Sequence, residues 1–335
     1  MLTLGWADGG PGAPQTGAMR TRTILAALAA LLVAASAPRA AHAATPVVAD
    51  PAAQDVTALD GTVVWVSGAP GAQTLMQHDA RGDRPVQGAP RADAYRAIDL
   101  GRDRAGGLVL SYVRCATASA CAARRDDLRG HRASFRGLER TRCSLTTAPA
   151  VWRTAAAYGL LCHAAGSRAF DAARSGLYVK AVGHSARRLP LPRAATRAGA
   201  TSITHVDLRG TRVAAVAADI YAFAFSQTTS GTAMQSMRAA TSEGDGDERV
   251  AGLALGTTAT LWTLTESSHA GDPNSARIAR LARGCRTWET MTNPSGPAEA
   301  AGFPASALSA DGTTVYVVVP GTGIVTHDFA PQVGC

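Results

Sequence analysis

Short, continuous apolar runs, each opened by a glycine-centred turn, recur along the chain. Leu59-Asp60-Gly61-Thr62 precedes Val63-Val64-Trp65, Gly210-Thr211 precedes Val213-Ala214-Ala215-Val216, Gly256-Thr257 precedes Leu261-Trp262-Thr263-Leu264, and Asp311-Gly312-Thr313 precedes Val315-Tyr316-Val317. Each reads as a turn leading into a buried strand. Two weaker echoes, Gly106-Gly107-Leu108-Val109-Leu110 and Tyr158-Gly159-Leu160-Leu161, occupy the interval between Gly61 and Gly210. The anchor glycines at 61, 106, 159, 210, 256 and 312 then lie 45, 53, 51, 46 and 56 residues apart. That is the period of radial β repeats rather than of helical solenoids.

A partner strand follows each run: Leu75-Met76-Gln77-His78, Arg132-Ala133-Ser134-Phe135, Gly176-Leu177-Tyr178-Val179, Ala233 to Met237, Arg277 to Leu281 and Gly323 to His327. These alternate more clearly than the first runs. Alternation leaves one face wet, whereas a continuous run such as Val315 to Val319 suits a strand covered on both faces. A propeller supplies both environments. The expectation is an all-β chain, a single β-propeller of six four-stranded antiparallel blades, with seven as the nearest alternative. Pro46 to Val48 would pair with the final blade and remove the sheet edges an open array leaves. The tracts Gly68 to Gly71, Arg187 to Arg197, Glu243 to Glu248 and Asn293 to Pro297 read as loops between strands.

Residues 1–43 have the pattern of a secretory signal peptide. Arg20 and Arg22 form a basic start, Ile24 to Ala35 is apolar, and Ala41-His42-Ala43 is a cleavage site. The segment before Met19 adds nothing to export, and Met19 is the expected start. The arginines are separated by Thr21, which points to general secretion. The apolar run is too short to span a bilayer. The domain expected is 44–335, placed in the extracellular or cell-envelope space as a monomer without a membrane span.

Removing the leader leaves a net charge of +6 from the chain's +8. Lys180 is the only lysine among 33 basic residues, a bias that a GC-rich genome accounts for without nucleic-acid binding. Seven arginines between Arg124 and Arg142 read as a solvated loop and edge strand, because Phe135 is the one aromatic residue among them and stacking platforms are missing. All six cysteines lie beyond the leader, so an oxidising compartment predicts three disulfides. Proximity favours Cys115 with Cys121, Cys143 with Cys162, and Cys285 with Cys335. The last closes a long loop, a contribution of about 4 kcal/mol through the unfolded state.

Export, repeated Leu-Asp-Gly-Thr turns into Val-Val-Trp strands, and partner strands such as Gly176-Leu177-Tyr178 together resemble the secreted six-bladed propellers of the TolB-like and WD40-like superfamily, as found in actinobacteria. The resemblance spans nearly all of residues 47–330. Resemblance to TolB proper implies a protein-binding role beside an outer membrane.

Candidate chemistry is sparse. His78 and His327 each precede an aspartate at comparable places in their strands, which suits either repeated ligands or a recurrent turn. No H-x-H, H-E-x-x-H or C-x-x-C spacing occurs, and the acidic run Glu243 to Glu248 lacks the frame of a calcium loop. There is no G-x-S-x-G elbow and no phosphate-binding glycine loop with its lysine. No catalytic residue, cofactor or metal is assigned. The leading expectation is an extracellular binding or scaffold module that presents loops such as Ala69 to Thr74, Arg187 to Arg197 and Gln227 to Thr232 to a protein, peptide or glycan of the envelope. The alternative is a secreted hydrolase or lyase with a site in the central channel, recognisable by His, Asp or Glu side chains converging there.

Overall fold

A computed structural model describes residues 46–332 apart from 118–119, 136, 139–140, 168, 242–245, 257, 270–274, 286, 293–301 and 305. The expected leader, Cys335, the tract Asn293 to Pro297 and the start of the acidic run fall outside the described residues. Strand β1 is Pro46–Val48. Strands β2 to β5 are Ala53–Leu59, Thr62–Ser67, Thr74–Asp79 and Gly82–Pro85. Strands β6 to β9 are Ala94–Arg102, Leu108–Cys115, Cys121–Asp126 and Arg132–Ser134, and β10 is Cys143–Leu145. Strands β11 to β14 are Ala150–Trp152, Ala155–Cys162, Gly176–Ala181 and Arg187–Arg188. A single helical turn, Arg193–Arg197, leads into β15 to β18, Ser202–Arg209, Arg212–Ala218, Tyr221–Thr228 and Gln235–Thr241. Strands β19 to β22 are Gly246–Leu255, Leu261–His269, Ser275–Leu281 and Glu289–Thr292, and β23 to β25 are Leu308–Asp311, Thr314–Val319 and Gly323–Asp328.

The chain is all-β and propeller-like. Four sheets have four strands each: β2-β3-β4-β5, β15-β16-β17-β18, β19-β20-β21-β22, and β1-β25-β24-β23. A nine-stranded sheet runs β14-β13-β12-β11-β6-β7-β8-β9, with β10 against β12. Its two arms meet through one parallel pairing, Arg102 with Trp152. Strand β2 lies against β6, β11 against β15, β15 against β19, β19 against β23, and β23 against β2, so the innermost strands form a ring. Pro46 pairs with Val325, which joins the start of the described chain to its last sheet.

Side-chain alternation builds the core between sheets. In β16, Val213, Ala215 and Ala217 enter one apolar cluster, while Ala214 and Val216 enter the next. In β3, Val63 and Trp65 face one neighbour, and Val64 and Val66 face the other. Successive Cβ atoms point to opposite faces of a strand, so a continuous apolar run is what a strand sandwiched between two sheets requires. Trp65 is 1% exposed, and its Nε1 donates to Asp50 Oδ2 at 2.7 Å.

Three details differ from the pattern read off the sequence. The glycine-led runs are the second strand of each sheet, and the strand before the turn is the innermost. The partner strands at Arg132 and Gln235 are the fourth of their sheets, not the third. Gly159 is no turn: it lies inside β12, where a Cβ would meet Thr146 Oγ1 at 2.3 Å and Ile203 Cβ at 2.8 Å. The turn of that unit is Arg153-Thr154, with Arg153 at φ 55°.

Cys115 is bonded to Cys121 and Cys143 to Cys162, each bridging directly paired residues of antiparallel strands. Cys285 is also disulfide-bonded. Among the described residues no helix is long and apolar enough to cross a membrane.

Candidate functional site

The innermost strands bring together residues that no sequence spacing connects. Val56 and Thr57 of β2, Ile98 and Asp99 of β6, Thr147 and Ala148 before β11, His205 and Asp207 of β15, Leu253 of β19 and Ser309 of β23 line one cavity. Its polar side chains are occupied in a directional way. Ala58 N–H donates to Ser309 Oγ at 2.8 Å, Leu100 N–H to Thr57 Oγ1 at 2.8 Å, and Leu255 N–H to Asp207 Oδ2 at 2.7 Å. Asp99 accepts from the Val151 backbone, and one level away Ala97 N–H donates to Asp55 Oδ2 at 3.0 Å. Each of these side chains thus grips the backbone of the next innermost strand along the chain, at four of the six junctions of the ring, and Ser309 joins β23 back to β2. A buried bond of this kind contributes about 1 kcal/mol net, more when the acceptor is charged.

The carboxyls feel their burial. Desolvation raises the Asp55 pKa from 3.8 to about 6, against the lowering effect of bonds from Ala97 and Ser306. Asp99 is pushed well above the usual carboxylate range, first by burial and then by the charge of Asp207. Asp99 Oδ2 and Asp207 Oδ1 have no hydrogen-bond partner in the protein.

At the end of the cavity nearest the hairpin turns, Arg209 crosses the axis. Its Nη1 donates to Leu100 O and its Nη2 to Ala58 O at 3.4 Å, while Nε lies 3.7 Å from Asp207 Oδ1. Trp152 covers the guanidinium, with its ring centroid 5.8 Å from Cζ. Arg209 is 6% exposed and stoppers the channel. What remains is about 40 Å³, room for a few water molecules, whereas ligand pockets begin near 300 Å³.

Converging carboxyls and a histidine are therefore present, yet the space to seat a substrate is not. Sequence reasoning missed them because each sheet supplies one or two. The available signal was positional: Thr57, Asp207 and Ser309 each lie three or four residues before their anchor glycine, whereas the longer turn after β6 puts Asp99 out of that alignment.

The open space lies at the periphery. A groove of about 670 Å³ separates the two arms of the nine-stranded sheet. Arg125, Arg132, Arg153 and Lys180 line it together with Phe135, Leu138, Val151 and Val182, and Val182 is 71% exposed. Among the described residues no acidic side chain lines it. Asp126 sits beneath, buried, 3.7 Å from Arg132 Nε. Lys180 Nζ donates to Gly137 O at 3.0 Å, which holds the cation at the rim. A second groove of about 530 Å³ mixes Arg81, Arg84 and Arg129 with Asp79, Asp103 and Asp127, so its charges offset one another. Arg84 pairs there with Asp79 and holds that carboxyl below its usual range.

The residues singled out from sequence fall elsewhere. His78 Nδ1 contacts Asp83 Oδ1 at 2.5 Å. His327 stacks on Phe329 in a different sheet, with its pKa lowered by burial. Among the described residues no group of three or more His, Cys, Asp or Glu is placed to hold a metal. Two of the three expected presenting loops are tied to each other: Arg187 Nη1 donates to Ser230 O at 3.2 Å and Gln227 Nε2 to Pro190 O at 2.9 Å. The basic stretch from Arg124, read as a solvated loop and edge strand, does contain an edge strand, β9, and supplies one wall of the cationic groove.

No family model matches the chain, and no curated protein matches it. Among solved structures, a puromycin-hydrolysing peptidase from Mycobacterium tuberculosis is similar at 14% identity over 85% of this chain and 53% of that one, with a TM-score of 0.46. The SapL1 lectin, solved with alpha methyl fucoside, is similar at 10% identity over 84% and 94%, with a TM-score of 0.44. The polysaccharide lyase Uly1 is similar at 9% identity over 88% and 85%, with a TM-score of 0.42. At these values the likeness does not extend to a shared site.

Proposed function

We propose that this chain is an exported binding module, a six-bladed propeller of the TolB-like and WD40-like kind, whose working surface is the cationic groove between the arms of the nine-stranded sheet. The partner is an anionic component of the cell envelope, and the propeller is a rigid monomeric frame for the groove. The observation that carries this reading is a contrast in space and charge. The channel keeps about 40 Å³ and its carboxyls are engaged with backbone N–H groups, while the groove opens about 670 Å³ under four cations. A hydrolase or lyase in the channel would need a substrate where Arg209 lies. Six blades follow if the nine-stranded sheet is divided at its one parallel pairing, giving two arms that each resemble the other sheets.

The test is retention of envelope fractions on the immobilised protein. Retention should occur, fall with rising salt as charge screening requires, and leave the fractions chemically unaltered. Release of new reducing ends or cleaved peptides would overturn the binding reading, and so would absence of retention. Export is tested separately: secreted protein should begin at Ala44, and protein that keeps its leader contradicts it.

A further inference from the structure

The groove wall on the β9 side has an unusual lining. Arg132, Ala133, Ser134 and Phe135 are consecutive, and all four border the groove. Side chains of a strand alternate between faces, so a surface touched by every successive residue is a strand edge and not a sheet face. The topology agrees, because β9 ends the order of its sheet. The register identifies which backbone groups turn outward. Arg125 pairs with Ala133 and Asp126 with Arg132, and Asp127 N–H donates to His131 O at 3.2 Å. In an antiparallel ladder bonded pairs alternate, so Ala133 bonds inward to β8 while the N–H and C=O of Arg132 and Ser134 turn away from it.

An open strand edge is a template for another strand. Here cations stand along it: Arg132 on β9, Arg125 on β8, and Arg153 and Lys180 across the groove. Phe135 and Val182 supply apolar contact. We propose that the groove takes an extended acidic polypeptide segment of the partner, which adds to β9 as a strand. Backbone bonds to Arg132 and Ser134 hold the segment, its carboxylates turn to the face that Arg125 shares with Ala133 and meet Arg125 and Arg153, and Phe135 and Val182 give apolar contact on that same side. Strand addition of this kind draws affinity from main-chain bonds and selectivity from side-chain positions. A second polypeptide backbone repeats the spacing of the outward N–H and C=O pairs, which glycan hydroxyls do not, and this is why the edge favours a peptide. The inference rests on the binding reading above and names the chemistry of its ligand.

The experiment uses the exported chain and three probes: a labelled peptide of alternating valine and glutamate, the same peptide N-methylated at every residue so that neither edge can donate, and a labelled uronate oligosaccharide. The plain peptide should bind, and N-methylation should weaken it at least about tenfold because the edge bonds are lost. Arg125→Glu and Arg153→Glu should each weaken it by about tenfold or more, as close charge pairs at an interface do. Arg129→Glu, with the same change in net charge but in the neighbouring groove, should leave binding within about twofold. Circular dichroism of all three variants checks the fold. If the uronate binds as well as the peptide and N-methylation is without effect, strand addition is wrong while the binding reading survives. If envelope retention persists but neither probe binds, or if Arg129→Glu is as damaging as the groove variants, the assignment of this ligand fails. If retention itself is absent, the parent reading fails with it.

Discussion

Asp55 offers a test of the channel that does not depend on any ligand. Its carboxyl is buried in β2 and titrates at about 6 instead of 3.8, while in the unfolded chain it returns to the ordinary value. Between those two values the folded protein keeps a proton that the unfolded chain has released. Stability is therefore full below the lower value and declines as pH rises through the window. The whole gap corresponds to about 3 kcal/mol. Asp55→Asn removes the ionisation but keeps the shape and one good acceptor for Ala97 N–H. It forfeits about 1 kcal/mol, because the amide NH₂ now faces the second backbone donor, that of Ser306. The variant should be about 2 kcal/mol more stable than the parent near pH 7.5, and gain and loss should cancel near about pH 4.5. The titratable groups that line the neighbouring cavity, Asp99, His205 and Asp207, are present in both proteins, so they cancel to first order in the difference. Urea denaturation followed by fluorescence of the buried Trp65 and Trp262 reads it directly. A variant that is less stable than the parent at both pH values would refute the burial argument, since no ionisation cost would then exist to relieve.

The ring of backbone grips predicts that Ser309→Ala, which strands the Ala58 N–H between the first and last sheets, costs about 1–3 kcal/mol in denaturant midpoint terms; a loss no greater than that of Ser185→Ala on the surface would show that the grip holds nothing. At Gly101 an added Cβ would stand 1.7 Å from Val151 O, so Gly101→Ala must separate the two arms of the nine-stranded sheet and should cost more than about 3 kcal/mol or prevent folding. Exposed Gly107 meets only ordinary contacts, and Gly107→Ala should stay within about 0.5 kcal/mol when the two glycine variants are compared by thermal melt. Arg209→Met removes the bonds to Leu100 O and Ala58 O and leaves Asp207 without its countercharge, a loss of about 3 kcal/mol; an unchanged melting temperature would show that the stopper is incidental.

The repeat was legible because its cause is local. A turn that needs a left-handed residue, as at Gly61 and Gly312, followed by a strand covered on both faces, leaves a glycine and an apolar run in the sequence wherever it occurs. Cys115 with Cys121 and Cys143 with Cys162 were legible for a related reason: each pair spans neighbouring strands of one hairpin-like unit, so closeness in sequence tracks closeness in space. The identity of the innermost strand was not legible. Strand β15, Ser-Ile-Thr-His-Val-Asp-Leu-Arg, reads as an ordinary half-wet strand, and only closure of the ring buries Asp207 and Arg209. Gly159 misled because a glycine spared for close packing looks the same as one spared for a turn; Thr146 Oγ1 and Ile203 explain it only in three dimensions. The charges from Arg124 to Arg142 were visible, but a solvated edge and a groove wall have the same composition. The difference lies in what faces them, Arg153 and Lys180 on the other arm.

The same geometry explains why the interior and the periphery have parted roles. At the innermost position that grips the following strand, Ser309, Thr57, Asp99 and Asp207 differ in size and charge, yet each places one oxygen on a backbone N–H. What the position needs is an acceptor, and a carboxylate there is expensive: burial raises Asp99 and leaves one of its oxygens unpartnered. Arg209 offsets part of that cost by placing a cation beside Asp207, and in doing so fills the channel. A ring stabilised in this way leaves about 40 Å³ along the axis. The groove wall obeys the opposite rule. Arg125 and Arg153 hold like charges beside an open strand edge, while Arg132 is paired with buried Asp126, and the edge is a template for aggregation. Arginine beside an edge deters strands of neutral or basic character while admitting an acidic one, so the charges that protect the edge also define what can occupy it.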